Sequence, residues 1–285
     1  MPDPEPRNQA PTSDPGASAS EAAQPERSAS RRPSGDQHPG VFTRLMGRLR
    51  TLRPQPDLER IFDEQCNRLR HAVLNHPTVR DVKSILITSA IPGEGKTTLA
   101  CGLARAFATS LDYWTLLVET DLRHQSLARA FGVNPAPGLT EHILAGVPLP
   151  QVIQKTDLPK LSVIVAGSRD VAPANVIASS QMKAFSDEIR NRYKDRIVIF
   201  DAPPIVPTPE PLSLSLLADG IILVVHADET SRSVVQRALK LMPPSKMLGV
   251  VLNGVSLGRE DRRYYGEYYY YDRQAVAGGL AGSSA

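Results

Sequence analysis

The sequence predicts an α/β fold, a mostly parallel β-sheet flanked by helices, and three observations carry that expectation. Short β-rich apolar runs alternate with helical patterns along the middle of the chain. A glycine-rich turn joins the first run directly to the next helical pattern, and two of the later runs end in acidic residues.

Residues 1–40 are rich in Pro, Ser, Ala, Gln and charged types and carry almost no large apolar side chains, so they read as a disordered tail. Residues 41–56 form a basic amphipathic segment. Val41, Phe42, Leu45, Met46, Leu49 and Leu52 are interleaved with Arg44, Arg48, Arg50 and Arg53, a pattern suited to anionic lipid, to a partner, or to docking on its own domain. Residues 57–258 form the folded domain. Asp57 is placed to cap a helix in which Leu58, Ile61, Phe62, Leu69 and Val73 recur at helical spacing, with Glu64 and Arg68 paired on the outer side. His76 and Pro77 end that helix. Strands are expected at 85–89, 116–120, 161–165, 197–201, 220–225 and 248–252, and intervening helices at 97–109, 181–193 and 231–241. After Gly258 the pattern dissolves, and 259–285 reads as a flexible, tyrosine-rich tail.

Composition narrows the function. With 285 residues, 41% of them apolar, the chain can bury one sizeable core. The net charge is only +3 and the basic residues are scattered, which argues against nucleic acid as a partner. Neither Cys66 nor Cys101 sits in a CxxC pair and both are expected reduced and buried, and the six dispersed histidines argue against zinc. The N-terminus has no apolar signal region, and no run approaches the ~20 residues of a membrane helix. A cytoplasmic protein is expected, recruited to the inner face of the plasma membrane through a partner, with a surface-lying helix as the alternative route to the membrane.

The strand at 85–89 is followed by Ala90-Ile91-Pro92-Gly93-Glu94-Gly95-Lys96-Thr97 and then by a helical pattern, the context a P-loop requires. Gly93, Glu94, Gly95, Lys96, Thr97 and Thr98 are therefore expected to bind the phosphates of ATP. Glycines let backbone amides approach, Lys96 reaches the β- and γ-phosphates, and Thr97 supplies a hydroxyl to magnesium. Ala90 replaces the first glycine of the pattern. Magnesium also needs carboxylates at the ends of neighbouring strands. Asp201 closes one apolar run; Glu119 and Asp121, followed by Arg123, close another, and strand alternation would set both acids on one side, towards the γ-phosphate. A P-loop NTPase-like fold with ATP and Mg2+ as cofactors follows.

Of eight tyrosines, six fall in one stretch: Tyr264, Tyr265, Tyr268, Tyr269, Tyr270 and Tyr271. They sit among charged residues instead of aliphatic ones, which argues against a core strand. A nucleic-acid stacking surface, an adhesive tail and a set of phosphate acceptors compete. Each phosphate would add about −1.5 to −2 charge, enough to alter intermolecular contacts steeply.

Together these features resemble the bacterial tyrosine autokinases (BY-kinases) of capsule and exopolysaccharide biosynthesis, over about residues 64–272. The resemblance rests on residues 89–98, on the acid-x-Asp-Leu-Arg strand end, on Phe200-Asp201-Ala202-Pro203-Pro204, on Val251-Leu252-Asn253, on the segment 138–146 and on the terminal tyrosines. It implies ATP-dependent autophosphorylation of those tyrosines, delivered to a neighbour in a homo-oligomeric ring that phosphorylation disrupts. Lys96 and Thr97 carry over as phosphate and magnesium contacts, Asp121 and Asp201 as residues organising magnesium, and Asn253 as an adenine contact. The first acid of the second strand end is an aspartate in the family, assigned to deprotonating the acceptor tyrosine; here it is Glu119, which would take that role with shifted geometry. The family's Glu-x-x-Arg-x-x-Arg contact motif appears as Glu64, Asn67 and Arg70. Further implied partners are the cytosolic tail of a transmembrane chain-length regulator, as in the separate form of the kinase, and a phosphotyrosine phosphatase. A partitioning-type ATPase is the nearest rival, but it carries an early P-loop lysine where this chain has Ile91, and it has no use for the tyrosines. A nucleotide-gated scaffold is the non-enzymatic alternative.

Overall fold

The computed structural model describes residues 56–256. The tail at 1–40, residues 41–55 of the basic segment at 41–56, and the tail at 259–285 with its six tyrosines lie outside the described residues. In chain order the first elements are α1 (Pro56–Leu74), β1 (Ser84–Ser89), α2 (Lys96–Ala108), β2 (Trp114–Glu119), α3 (Leu127–Phe131), α4 (Leu139–Ala145), α5 (Leu149–Val152) and β3 (Gln154–Lys155). There follow β4 (Leu161–Ile164), α6 (Pro173–Ile177), α7 (Ser180–Arg192), β5 (Arg196–Asp201), α8 (Glu210–Leu217), β6 (Gly220–His226), α9 (Arg232–Leu241) and β7 (Met247–Asn253).

The strands form one sheet in the order β3-β4-β2-β5-β1-β6-β7, parallel throughout except for the β3–β4 pair. All six expected strands are present. The sequence reading missed β3, which is two polar residues long, and the helices α3 to α6 and α8, which are too short to establish a 3.6-residue period. It also placed the start of α1 late. The described helix already includes Pro56 and Asp57, and it ends at Leu74, ahead of His76.

Successive strand residues feed two cores, as the pleat requires. Leu86, Val118, Phe200 and Leu223 pack with Met182, Phe185 and Ile189 of α7 on one face. On the other, Ile85, Ile87, Leu117, Ile199 and Val224 pack with Leu103 and Phe107 of α2 and with Cys66 and Val73 of α1. Phe107, Phe185 and Phe200 are fully buried, each contributing roughly 1.5–3 kcal/mol of hydrophobic stabilisation. Helices α1 and α2 approach closely at Gly102, where an added Cβ would lie 2.5 Å from Phe62 and 2.6 Å from Cys66 Sγ. Both cysteines are free and buried, and burial pushes the Cys66 thiol up to about 12. No helix among the described residues is long and apolar enough to cross a membrane.

This strand order sets β1 between β5 and β6, with β2 on the far side of β5. The loops that follow β1, β2 and β5 therefore emerge side by side at the carboxyl edge of the sheet, where parallel α/β sheets bind their ligands.

Candidate nucleotide and catalytic site

The P-loop departs from β1 and runs into α2, as its sequence context requires. Gly93 and Gly95 adopt φ of 90° and 87°, a region that costs other residues roughly 1–2 kcal/mol. At Gly95 glycine is doubly required, because a Cβ there would lie 2.0 Å from Asn253 Nδ2. Asn253, at the end of β7, donates from that nitrogen to the Glu94 carbonyl at 2.9 Å. Ala90 is fully buried and its backbone is not left-handed, so nothing at that position calls for glycine.

Glu94 is itself buried, and its carboxylate turns into the protein. Oε2 accepts the Ile91 N–H at 2.7 Å, while Oε1 accepts the Thr230 hydroxyl at 2.6 Å and the His226 N–H at 3.2 Å. Its side chain thus ties the loop to the β6–α9 connection, which leaves its backbone to meet a phosphate. Lys96, Thr97 and Thr98 form the first turn of α2, at the positive end of a 13-residue helix.

Strand register brings the acids to this loop. Asp201 lies level with Ile87 of β1 and with Glu119 of β2. The Lys96 ammonium is 3.0 Å from Asp121 Oδ2, and Asp121 Oδ1 accepts the His124 N–H at 3.0 Å. Asp201 is buried, and neither carboxylate oxygen has a partner in full hydrogen-bonding geometry, although the Thr97 hydroxyl lies near it. That burial raises its pKa from 3.8 to about 7, with the Lys96 charge and the Thr97 hydroxyl pulling it down and Glu119 and Asp121 pushing it up. Burial alone would lower the Lys96 pKa, but Asp201 and Asp121 outweigh it, so the lysine is held charged more firmly than usual. Buried anions outnumber the one ammonium among them, and all the free donors are oxygens. That is a donor set for a hard divalent cation.

Glu119 and Asp121, expected to face one way, take different partners. Strand β2 ends at Glu119, and the N–H groups of Thr120 and Asp121 both turn to the Asp201 carbonyl, at 2.9 and 3.1 Å, so strand alternation does not extend to Asp121. The Glu119 carboxylate accepts backbone N–H groups from Ser126, from Leu127 at 2.9 Å and from Ala166 at 3.0 Å. Its pKa is raised by burial, against the opposing pull of these three bonds.

Sequence reasoning overlooked Glu210. Its side chain is fully buried at the start of α8 and accepts a 2.7 Å bond from Arg123 Nη2, linking the loop after β2 to the loop after β5. The two residues are 87 positions apart, and only the fold pairs them.

No protein-family model matches the chain. Among curated proteins it is 33% identical over 210 residues to tyrosine-protein kinase YwqD of Bacillus subtilis (strain 168), covering 73% of this chain and 85% of that one. It is also 31% identical to the succinoglycan biosynthesis transport protein ExoP of Rhizobium meliloti (strain 1021), covering 65% of this chain but 25% of that much longer protein. Among solved structures, the chimerical protein CapA2B2 matches with a TM-score of 0.64 and 28% identity, over 68% of this chain and 85% of that one. A loop–acid–lysine constellation at the carboxyl edge of this sheet, together with those likenesses over most of the folded domain, places the chain in the bacterial tyrosine-kinase (BY-kinase) family.

Proposed function

We propose that the protein is an ATP-dependent protein-tyrosine autokinase that phosphorylates its C-terminal tyrosines and thereby regulates exopolysaccharide or capsule polymerisation and export. The observation that carries this reading is the Lys96–Asp121 ion pair beside the buried Asp201 carboxylate, set against a P-loop in a chain of this family.

In this reading the backbone of residues 93–98 and the Lys96 ammonium bind the ATP phosphates. Thr97, Asp121 and Asp201 would hold magnesium, which when bound would supply charge neutralisation for the transferring phosphoryl group. Asn253, whose nitrogen holds the Glu94 carbonyl, would contact the adenine. A tyrosine among Tyr264, Tyr265, Tyr268, Tyr269, Tyr270 and Tyr271 attacks the γ-phosphorus through its phenolic oxygen; the bond to the β–γ bridging oxygen breaks, ADP leaves, and the phenolic proton passes to a carboxylate. Delivery between subunits of a homo-oligomeric ring, activation by the cytosolic tail of a transmembrane chain-length regulator at the membrane, and reversal by a phosphotyrosine phosphatase complete the proposal. The regulator is supported by ExoP, a transport protein of which the kinase-like part is only a quarter.

The test is purified full-length chain with ATP and magnesium, with and without that cytosolic tail, probed for phosphotyrosine. Label is expected, and it should be lost in Lys96→Met and in a variant lacking residues 264–271. No label even with the tail present would overturn the kinase reading and leave a nucleotide-gated scaffold or switch ATPase.

A further inference from the structure

We infer that Glu119 is a positioning residue, which holds the Asp121 loop in place against Lys96, and that it is not the group that takes the tyrosine proton. The inference rests on the kinase reading above and concerns this chain's departure from the family's aspartate.

Three backbone donors from two separate segments converge on the Glu119 carboxylate. Oε1 takes the N–H groups of Ser126 and Leu127, which open α3, and Oε2 takes the N–H of Ala166, just beyond β4. The side chain is 1% exposed. These bonds commit both of its oxygens to the protein backbone, turned away from the Lys96–Asp121 pair. What they accomplish is closure of a loop. Residues 120–127 are anchored at one end by the Thr120 and Asp121 N–H groups on the Asp201 carbonyl, in the middle by Arg123 on Glu210, and at the far end by Glu119. Asp121, which meets Lys96 at 3.0 Å and takes the His124 N–H of the same loop, has its carboxylate placed by that closure. The extra methylene of glutamate is what lets one carboxylate span from the end of β2 to both segments. An aspartate, shorter by about 1.5 Å, cannot reach both.

Glu119→Asp and Glu119→Gln therefore separate the two roles in the full-length chain, under conditions where the wild type is labelled. A positioning residue predicts that Asp falls at least as far as Gln, each losing roughly 10- to 100-fold in kcat, with the KM for ATP little changed and a higher magnesium concentration needed for half-maximal rate. A proton acceptor predicts the reverse order, with Asp at or above wild type and Gln inactive; that ranking overturns the inference. If Glu119→Asp yields no folded protein, Glu119→Gln decides, and undetectable label with fluorescent ATP-analogue binding intact counts against positioning. Amide hydrogen exchange gives a readout independent of activity. Exchange at Ser126, Leu127 and Ala166 should quicken in both variants, and unchanged protection overturns the inference even if the wild type proves unlabelled, a result that would by itself count only against the kinase reading.

Discussion

Replacing Asp201 by asparagine is expected to stabilise the nucleotide-free protein at neutral and alkaline pH while abolishing phosphoryl transfer. The carboxylate is buried without a partner in full hydrogen-bonding geometry, and its pKa is raised from 3.8 to about 7. Below pH 3.8 both folded and unfolded chains carry the proton and Asp201 has no effect on stability. Between 3.8 and about 7 the unfolded chain ionises while the folded one keeps its proton, so stability falls by about 1.4 kcal/mol per pH unit. Above about 7 the loss is complete, on the order of 4 kcal/mol. Asparagine escapes this titration but buries an amide, which costs about 1–3 kcal/mol. Lys96 is not stranded, because it keeps Asp121 at 3.0 Å. The net gain at pH 8 is then about 1–3 kcal/mol, or roughly 3–9 °C in melting temperature for a domain of this size. Thermal melts of both proteins in chelator from pH 5 to 8.5 should show a gap that widens with pH. Adding ATP and magnesium should raise the wild type and not the variant, because only the wild type retains the full site. Curves that stay parallel across the pH range, or a variant less stable at pH 8, would refute the reasoning.

Three further substitutions probe the scaffold of the loop. Gly95→Ala forces a side chain into left-handed backbone and onto the Asn253 amide; strain of about 1–2 kcal/mol and the loss of the Asn253 bond should weaken nucleotide binding by at least about 10-fold in calorimetry. Glu94→Gln turns an NH2 towards groups that now donate to a carboxylate, Ile91 N–H or the Thr230 hydroxyl; urea denaturation should register a loss of about 1.5–3 kcal/mol. Arg123→Ala strands the buried Glu210, at a cost of about 3 kcal/mol that a second change, Glu210→Gln, should largely restore; if the double variant is no more stable than the single, the pair is not what holds the two loops.

Much of this fold was legible because parallel strands are buried on both faces and announce themselves as continuous apolar runs. Residues 85–87, 116–118 and 221–224 are such runs, and each became a strand with its residues shared between the two cores. The P-loop was legible for a related reason. Two left-handed glycines followed by Lys-Thr satisfy a local backbone requirement that the sequence must meet within a few residues. Short elements were not legible: α3, at five residues, is fixed by Gly132, Ser126 and the Glu119 carboxylate at the end of β2, none of which leaves a periodic trace.

Residue types at the site were thus determined by the sequence alone: a lysine and a threonine after a glycine-rich turn, three strand-end acids, and a cluster of tyrosines. Tertiary structure decided what each acid does. Asp121 meets Lys96, Asp201 is left without a full hydrogen bond between β1 and β2, Glu119 turns away to close a loop, and Glu210 arrives from 87 residues further along to hold Arg123. The physical reason is that a carboxylate's role follows from its desolvation and its hydrogen-bond donors. Those donors are backbone amides and cations supplied by segments that only the strand order brings together.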